Sequence, residues 1–280
     1  MKKSIILTLA TLFFVSASVT AQVNKSLTSE DVQNLLHSTT HVVPGGNIIY
    51  DAVLTKSAKE TWTVTPINTE SYDIGNEEQS LLAITQDVFE KRPEDNRYIF
   101  LTLFQGRKGV RNVSSLPWVV AFPICVDDED SEIDQTVLIT LLVKSIQNHV
   151  ELLKWESSIA KKSLEKLYND NIGSLKGKTI YMMDADIDKN ADRDKVLNRF
   201  NGHLKLIGPA EIERLITEKE KDAVIAYTVT GGYCYKLLIG VEDGKVYYYD
   251  RSKVAKNFLS RPGFFSNMGM ELSKLAAPFK

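Results

Sequence analysis

The 280-residue sequence predicts an α/β protein with mixed sheets, built as two related strand-helix-strand-strand units joined by a long helical segment. Three observations carry this reading: a pattern that occurs twice, a helical run between its two copies, and short apolar stretches of strand length beside each copy. The repeat comes first, because missing one misassigns the whole fold. The stretch "WTVTPINTESYDIGNEEQSLLAITQ", from Trp62, lies over "HLKLIGPAEIERLITEKEKDAVIAYTV" at a constant offset of 143. Pro66 then falls on Pro209, Glu70 on Glu213, Tyr72 on Leu215, Glu77 on Glu220, and Leu81 to Thr85 on Val224 to Thr228. Each copy reads as a strand, a proline that ends it, a short helix, a charged turn and a second strand. A further apolar strand follows each copy, "RYIFLTLF" and "CYKLLIGV", and "NIIYDAVL" and "KTIYMMDADI" read as matching first strands.

Between the copies, Ile133, Val137, Leu138, Leu141, Leu142, Ile146, Val150, Leu153, Ile159, Leu164 and Leu167 recur mostly at helical steps. The segment 131–170 therefore reads as one helix, or two joined near Trp155, with Ser131 as its cap and Asp134 three residues on. Upstream, "TSEDVQNLLHS" reads as a capped helix from Ser29 that ends before His41. The second unit closes with a hairpin at Glu242, Asp243 and Gly244. An amphipathic tail follows, whose Phe264, Phe265, Met268 and Leu272 should pack on a sheet or on a partner. The expected units are 1–21, a signal peptide; 22–130, the first α/β unit; 131–170, the connector; and 171–280, the second unit with its tail.

The leader "MKKSIILTLATLFFVSASVTAQ" has two lysines, an apolar run from Ile5 to about Val15, and small residues ending at Ala21, which predicts cleavage before Gln22. That run is shorter than the roughly 20 residues a spanning helix needs, and no later run approaches that length, so no membrane span is expected after cleavage. Cleavage would remove Lys2 and Lys3 and no acid, moving the formal charge from −2 to −4. No basic stripe is interleaved with aromatics, which argues against a nucleic-acid partner. The expected compartment is the periplasm or the exterior, where Cys125 and Cys234 could form a bridge or stand as two buried thiols.

The run "LKGKTIYMMDADI", "LKLIGPAEIERLITEKEKDAVIAYTV" and "YKLLIGVEDGKVYYYD" resembles a group of exported Gram-negative proteins of unknown function. In layout it is also distantly similar to the α/β periplasmic domains of the curli secretion channel and of the TolB amino-terminal region. The resemblance covers about residues 175 to 250, and more weakly 47 to 105 through the repeat. It implies a compact α/β sandwich used in assembly at the envelope. It transfers no functional residue.

Chemical motifs are weak throughout. In "DADIDKNADRD", Asp184, Asp186, Asp188, Asn190 and Asp192 match ligand positions of a calcium loop. Lys189 and Lys195 stand where the turn glycine and the bidentate glutamate belong, so the stretch reads as a solvated strand end leading into a helix near Asp192 to Phe200. His37 and His41 are four apart, but Ser-Thr-Thr between them favours neither a helix nor a third ligand. A nucleophile would have to be Cys234 with His149 or His203, since no G-x-S-x-G elbow exists. "GSLKGKT" lacks phosphate-loop spacing and reads as a turn, and Asp127 to Asp130 reads as a charged linker. No catalytic, cofactor-binding or metal-ligating residue is assigned, and no cofactor. The function expected is non-catalytic binding or assembly with envelope proteins, or self-association. The alternatives are a hydrolase or other enzyme with a cleft between the units, and a glycan binder using Trp62, Trp118 and Trp155, although all three tryptophans fall in runs that read as core.

Overall fold

A computed structural model describes residues 27–88, 97–127, 133–254, 263–265 and 270–280. Helix α1 (Ser29–His37) opens with a capping box: Thr28 accepts from the Asp31 amide while the Asp31 carboxylate accepts from the Thr28 amide. Strand β1 (Thr39–Val43), helix α2 (Ile48–Thr61) and strands β2 (Ile67–Asn68), β3 (Gln79–Val88), β4 (Arg97–Gln105) and β5 (Trp118–Val126) form the first unit. Helices α3 (Gln135–Trp155) and α4 (Leu164–Asn169) follow. The second unit contains β6 (Thr179–Met182), α5 (Arg193–Arg199), β7 (Leu204–Leu206), α6 (Pro209–Glu218), β8 (Ala223–Thr230), β9 (Tyr233–Gly240), β10 (Val246–Lys253) and α7 (Met270–Leu275).

The two sheets share one topology. Their strand orders are β2-β1-β3-β4-β5 and β7-β6-β8-β9-β10. In each, the first three strands are parallel and the last two antiparallel. The expected α/β class with two related units around a helical segment is therefore present.

Within that layout, several local readings are corrected. "NIIYDAVL" is the start of α2, not a strand: Asn47 caps the helix by accepting from the Ile49 and Tyr50 amides, and Leu54 and Ala58, one turn apart, pack inward. The first strand is β1, immediately before it. Trp62 ends α2 and starts no strand. No helix follows Pro66. Asn68, Asp73 and Asn76 each accept the amide two residues ahead, holding Thr69–Glu78 in turns that compete with a helix. Pro66 precedes β2, whereas Pro209 follows β7 as the first residue of α6. The cap of α3 is Asp134, which accepts from Thr136; Ser131 and Met268 lie outside the described residues.

The repeat also lacks a constant offset. With Thr40 set on Ile180, the ladder partners put Ile67 on Leu204 and Ser80 on Val224, offsets of 140, 137 and 144. A change of one residue from 143 matters because it exchanges the two faces of a strand. The crossovers show the same thing. Helix α2 packs with Val42 and Leu82 on the side of the first sheet that meets the shared core, whereas α5 packs with Ile180 and Met182 on the outer side of the second. Since parallel crossovers are right-handed, α2 and α5 mark equivalent sides, and the units turn opposite faces toward each other.

The shared core lies between the sheets, with α1, α2, α3 and α6 contributing Leu35, Leu54, Leu142 and Leu215. Tyr98 Oη donates to the Tyr233 carbonyl at 2.9 Å and accepts from its amide at 2.7 Å, and Tyr227 Oη donates to the Pro123 carbonyl at 3.0 Å. Tyr98 meets Tyr235 edge-on at 5.4 Å. Among the described residues, no helix is long and apolar enough to cross a membrane.

Candidate interaction surface

The most exposed apolar side chains of the first unit sit where β1 hands over to α2. Pro44 ends the strand, and Gly46, at φ +93°, takes a left-handed turn that a side chain would strain. Asp51 bends back so that its carboxylate accepts from the Gly45 amide at 2.7 Å and the Gly46 amide at 3.0 Å. Asn47 accepts from Ile49 and Tyr50, each at 3.1 Å. Held in this way, Ile48 and Ile49 project from the first turn with 86% and 64% of their surface exposed. Six consecutive residues, 44–49, are exposed and none carries a formal charge. The tip is apolar and largely satisfied in its backbone donors, and the charge beneath it, the Asp51 carboxylate, is already bonded to the Gly45 and Gly46 amides. Beyond it, the outer side of α2 carries a shallow depression lined by Asp51, Thr55, Lys56, Lys59 and Glu60.

The residues singled out by chemistry are dispersed. His37 ends α1, and His41 is buried in β1, so the two share no helix. Cys125 and Cys234 are two separate buried thiols. Cys234 accepts from Thr230 Oγ1 at 3.3 Å, and burial pushes its thiol up to about 11, away from a reactive thiolate. His149 lies in the shared core with Nδ1 2.8 Å from Tyr168 Oη, where burial lowers its ring to about 4. His203 bonds the Lys178 carbonyl through Nδ1 at 2.9 Å and stacks on Phe279 at 4.9 Å.

The acidic stretch is not solvated throughout, which corrects the expectation. Asp186 and Asp188 are buried. Asp186 Oδ1 accepts from the Thr228 amide at 3.0 Å and its hydroxyl at 2.6 Å, and Asp188 Oδ1 accepts from Asn190. Asp184 is held by Arg193 at 2.6 and 2.9 Å, which keeps its carboxyl below the ordinary range, and Asp192 caps α5 as expected. The stretch serves as a docking strip for the tail: the Phe264 amide donates to the Asp186 carbonyl, and the Asp188 amide to the Phe264 carbonyl. Gly263 is required there, because a Cβ would stand 2.3 Å from the Asp186 carbonyl oxygen. Among the described residues, no group of three or more His, Cys, Asp or Glu side chains is placed to hold a metal.

Phe264 and Phe265 are buried on the second sheet and present nothing to a partner. Trp62 is buried and donates to Thr65, and Trp118 is half-buried beside the outer core of the first sheet. Trp155, expected in the core, is 86% exposed at the end of α3, because the apolar stripe closes at Leu153. The three tryptophans make no common platform. Most of the acidic linker lies outside the described residues.

One cluster had no sequence motif behind it. Lys236, in the middle of β9, places Nζ 2.9 and 3.1 Å from the Glu271 carboxylate of α7, which also accepts from the Phe265 amide at 2.8 Å and Tyr248 Oη at 3.3 Å. Burial raises the Glu271 carboxyl, and Lys236 opposes that. The available signal was a lysine inside the apolar run "CYKLLIGV", since a fully buried lysine needs a partner. With four hydrogen bonds from three donor groups on its two oxygens, this carboxylate suits fastening better than proton transfer. No protein-family model, no curated protein and no solved structure matches the chain.

Proposed function

We propose that this chain is an exported, non-catalytic binding or assembly protein of the cell envelope, and that it docks on an envelope protein through the Ile48–Ile49 knuckle. The observation that carries the reading is the knuckle itself: two isoleucines held rigidly outward on an uncharged tip. Covering both would contribute on the order of 3 to 6 kcal/mol, at about 1.5 to 3 kcal/mol for each large aliphatic side chain. Prior rigidity lowers the entropy cost of docking. The secretory-type leader and the resemblance of residues 175 to 250 to periplasmic assembly domains support the envelope setting. An enzyme between the units is less supported, because the described residues fill that space with an apolar core.

The test places a photo-crosslinking residue at position 48 in the intact cell, with a control at exposed Lys205. A discrete adduct formed at 48, absent at 205 and abolished by Ile49→Asp, is expected. Equal labelling at both positions, or an adduct indifferent to Ile49→Asp, refutes the docking role. A mature protein that keeps its amino terminus at Met1 refutes the export assignment.

A further inference from the structure

The side of the first sheet that carries α2 is buried against the second half of the molecule, whereas its counterpart, the α5 side of the second sheet, faces outward. What covers that outward side is the end of the chain. Phe264, Phe265, Leu272, Leu275 and Phe279 pack there against Val224, Leu238 and Phe200. Units repeated in one sense without a two-fold axis make an open, head-to-tail arrangement that does not close on itself. Stacks of this kind need a terminal cap. At the other end of the molecule, Ile74, Val110, Val113 and Trp118 cover the far side of the first sheet and are themselves only half-buried, so apolar surface remains there.

We infer that the carboxy-terminal strap, Gly263–Phe265 with Met270–Lys280, caps a sheet face that otherwise accepts a second copy of this chain, through that copy's Val110–Val113 surface. The occupant follows from continuity with the intramolecular contact, in which the equivalent side of the first unit, with α2 and α3 on it, already takes the opposite-facing side of the second, with α6 on it. The lock is the Lys236–Glu271 pair, which ties α7 to β9, with the Asn201 side chain donating to the Phe279 carbonyl at 2.6 Å at the strap's end. The contact is distinct from the Ile48–Ile49 knuckle and does not depend on it.

The experiment is sedimentation velocity on the mature chain and on a chain ending at Val254. The full chain should remain monomeric. The shortened chain should form a concentration-dependent series, and an excess of full chain should reduce that series to dimers, since the full chain offers only its Val110–Val113 end. Val110→Asp with Val113→Asp should abolish the association, and Ile49→Asp should leave it intact. A folded, monomeric shortened chain overturns the inference, as does association indifferent to the Val110 and Val113 changes. Should the shortened chain lose its native circular dichroism, the full chain carrying Glu271→Ala and Phe279→Ala takes its place, and a failure of that variant to bind the wild-type chain overturns the inference equally.

Discussion

Replacing Glu271 by alanine is the sharpest probe of how the second unit is held. The ion pair has side-chain exposures of only 4% and 8%, so water can neither screen it nor solvate the partner left behind. Glu271→Ala leaves the buried Lys236 ammonium against Phe264, with Asp250 opposite it on β10 as a remaining carboxylate, and removes the acceptor of the Phe265 amide. Breaking a buried pair on one side costs about 3 to 5 kcal/mol. At about 2 to 4 °C per kcal/mol for a chain of this size, a loss of about 4 kcal/mol lowers the melting temperature by about 8 to 16 °C. Removing both charges should recover most of that, because apolar replacement of a buried pair is often neutral. Lys236→Met with Glu271→Met should therefore melt within about 2 kcal/mol of wild type. The assay is thermal and urea unfolding of all three proteins. A Glu271→Ala protein within about 1 kcal/mol of wild type, or a double variant as unstable as the single, refutes the reasoning. The pH dependence adds a sign. A carboxyl raised on folding gives stability that falls as pH climbs from 4.5 through the folded value, and Glu271→Gln should remove that component.

His149 contributes the opposite slope. Its ring is lowered from 6.5 to about 4 by burial, so the unfolded chain takes up a proton first, and stability is lost as pH falls through that window, by about 3 kcal/mol in all. The stability lost between pH 7 and pH 4.5, read from urea midpoints, should be smaller in His149→Gln than in wild type. Gly106→Ala should cost about 3 kcal/mol or more, read by thermal unfolding, because a Cβ there would stand 2.1 Å from the Asn76 carbonyl oxygen in backbone that has little room to move. Alkylation should label no thiol in the native protein and two per chain in urea without reductant, and any reductant-dependent labelling would contradict separate Cys125 and Cys234 thiols.

The elements legible in the sequence were those written in local code. Helix α1 announces itself through "TSEDVQNLLHS", α3 through an apolar stripe that the sequence carries on to Leu167 although the helix ends at Trp155, and the β9–β10 hairpin through Glu242, Asp243 and Gly244. The failures came where local code was ambiguous. Ile48, Ile49 and Tyr50 satisfy a strand as well as a helix until Asn47 is seen capping the turn. Thr69–Glu78 could have been helical but for three side chains that capture amides. The candidate surface was not legible at all: nothing in "PGGNII" says whether its isoleucines are covered. Lys236 could be marked as needing a partner, but not which one, since Glu271 lies 35 residues away.

By itself, then, the sequence determined the α/β class, the presence of two related units and the central helix, because periodicity, caps and turn residues act over a few positions. Only the tertiary structure decided the ladder register, which sheet side each unit turns inward, the pairing of Lys236 with Glu271 and the exposure of Ile48, Ile49 and Trp155. The physical reason is that a strand with apolar residues on both faces carries no local mark of which face is inner, and a one-residue slip exchanges them. That choice is made by what packs against the strand, and those partners are distant in the chain.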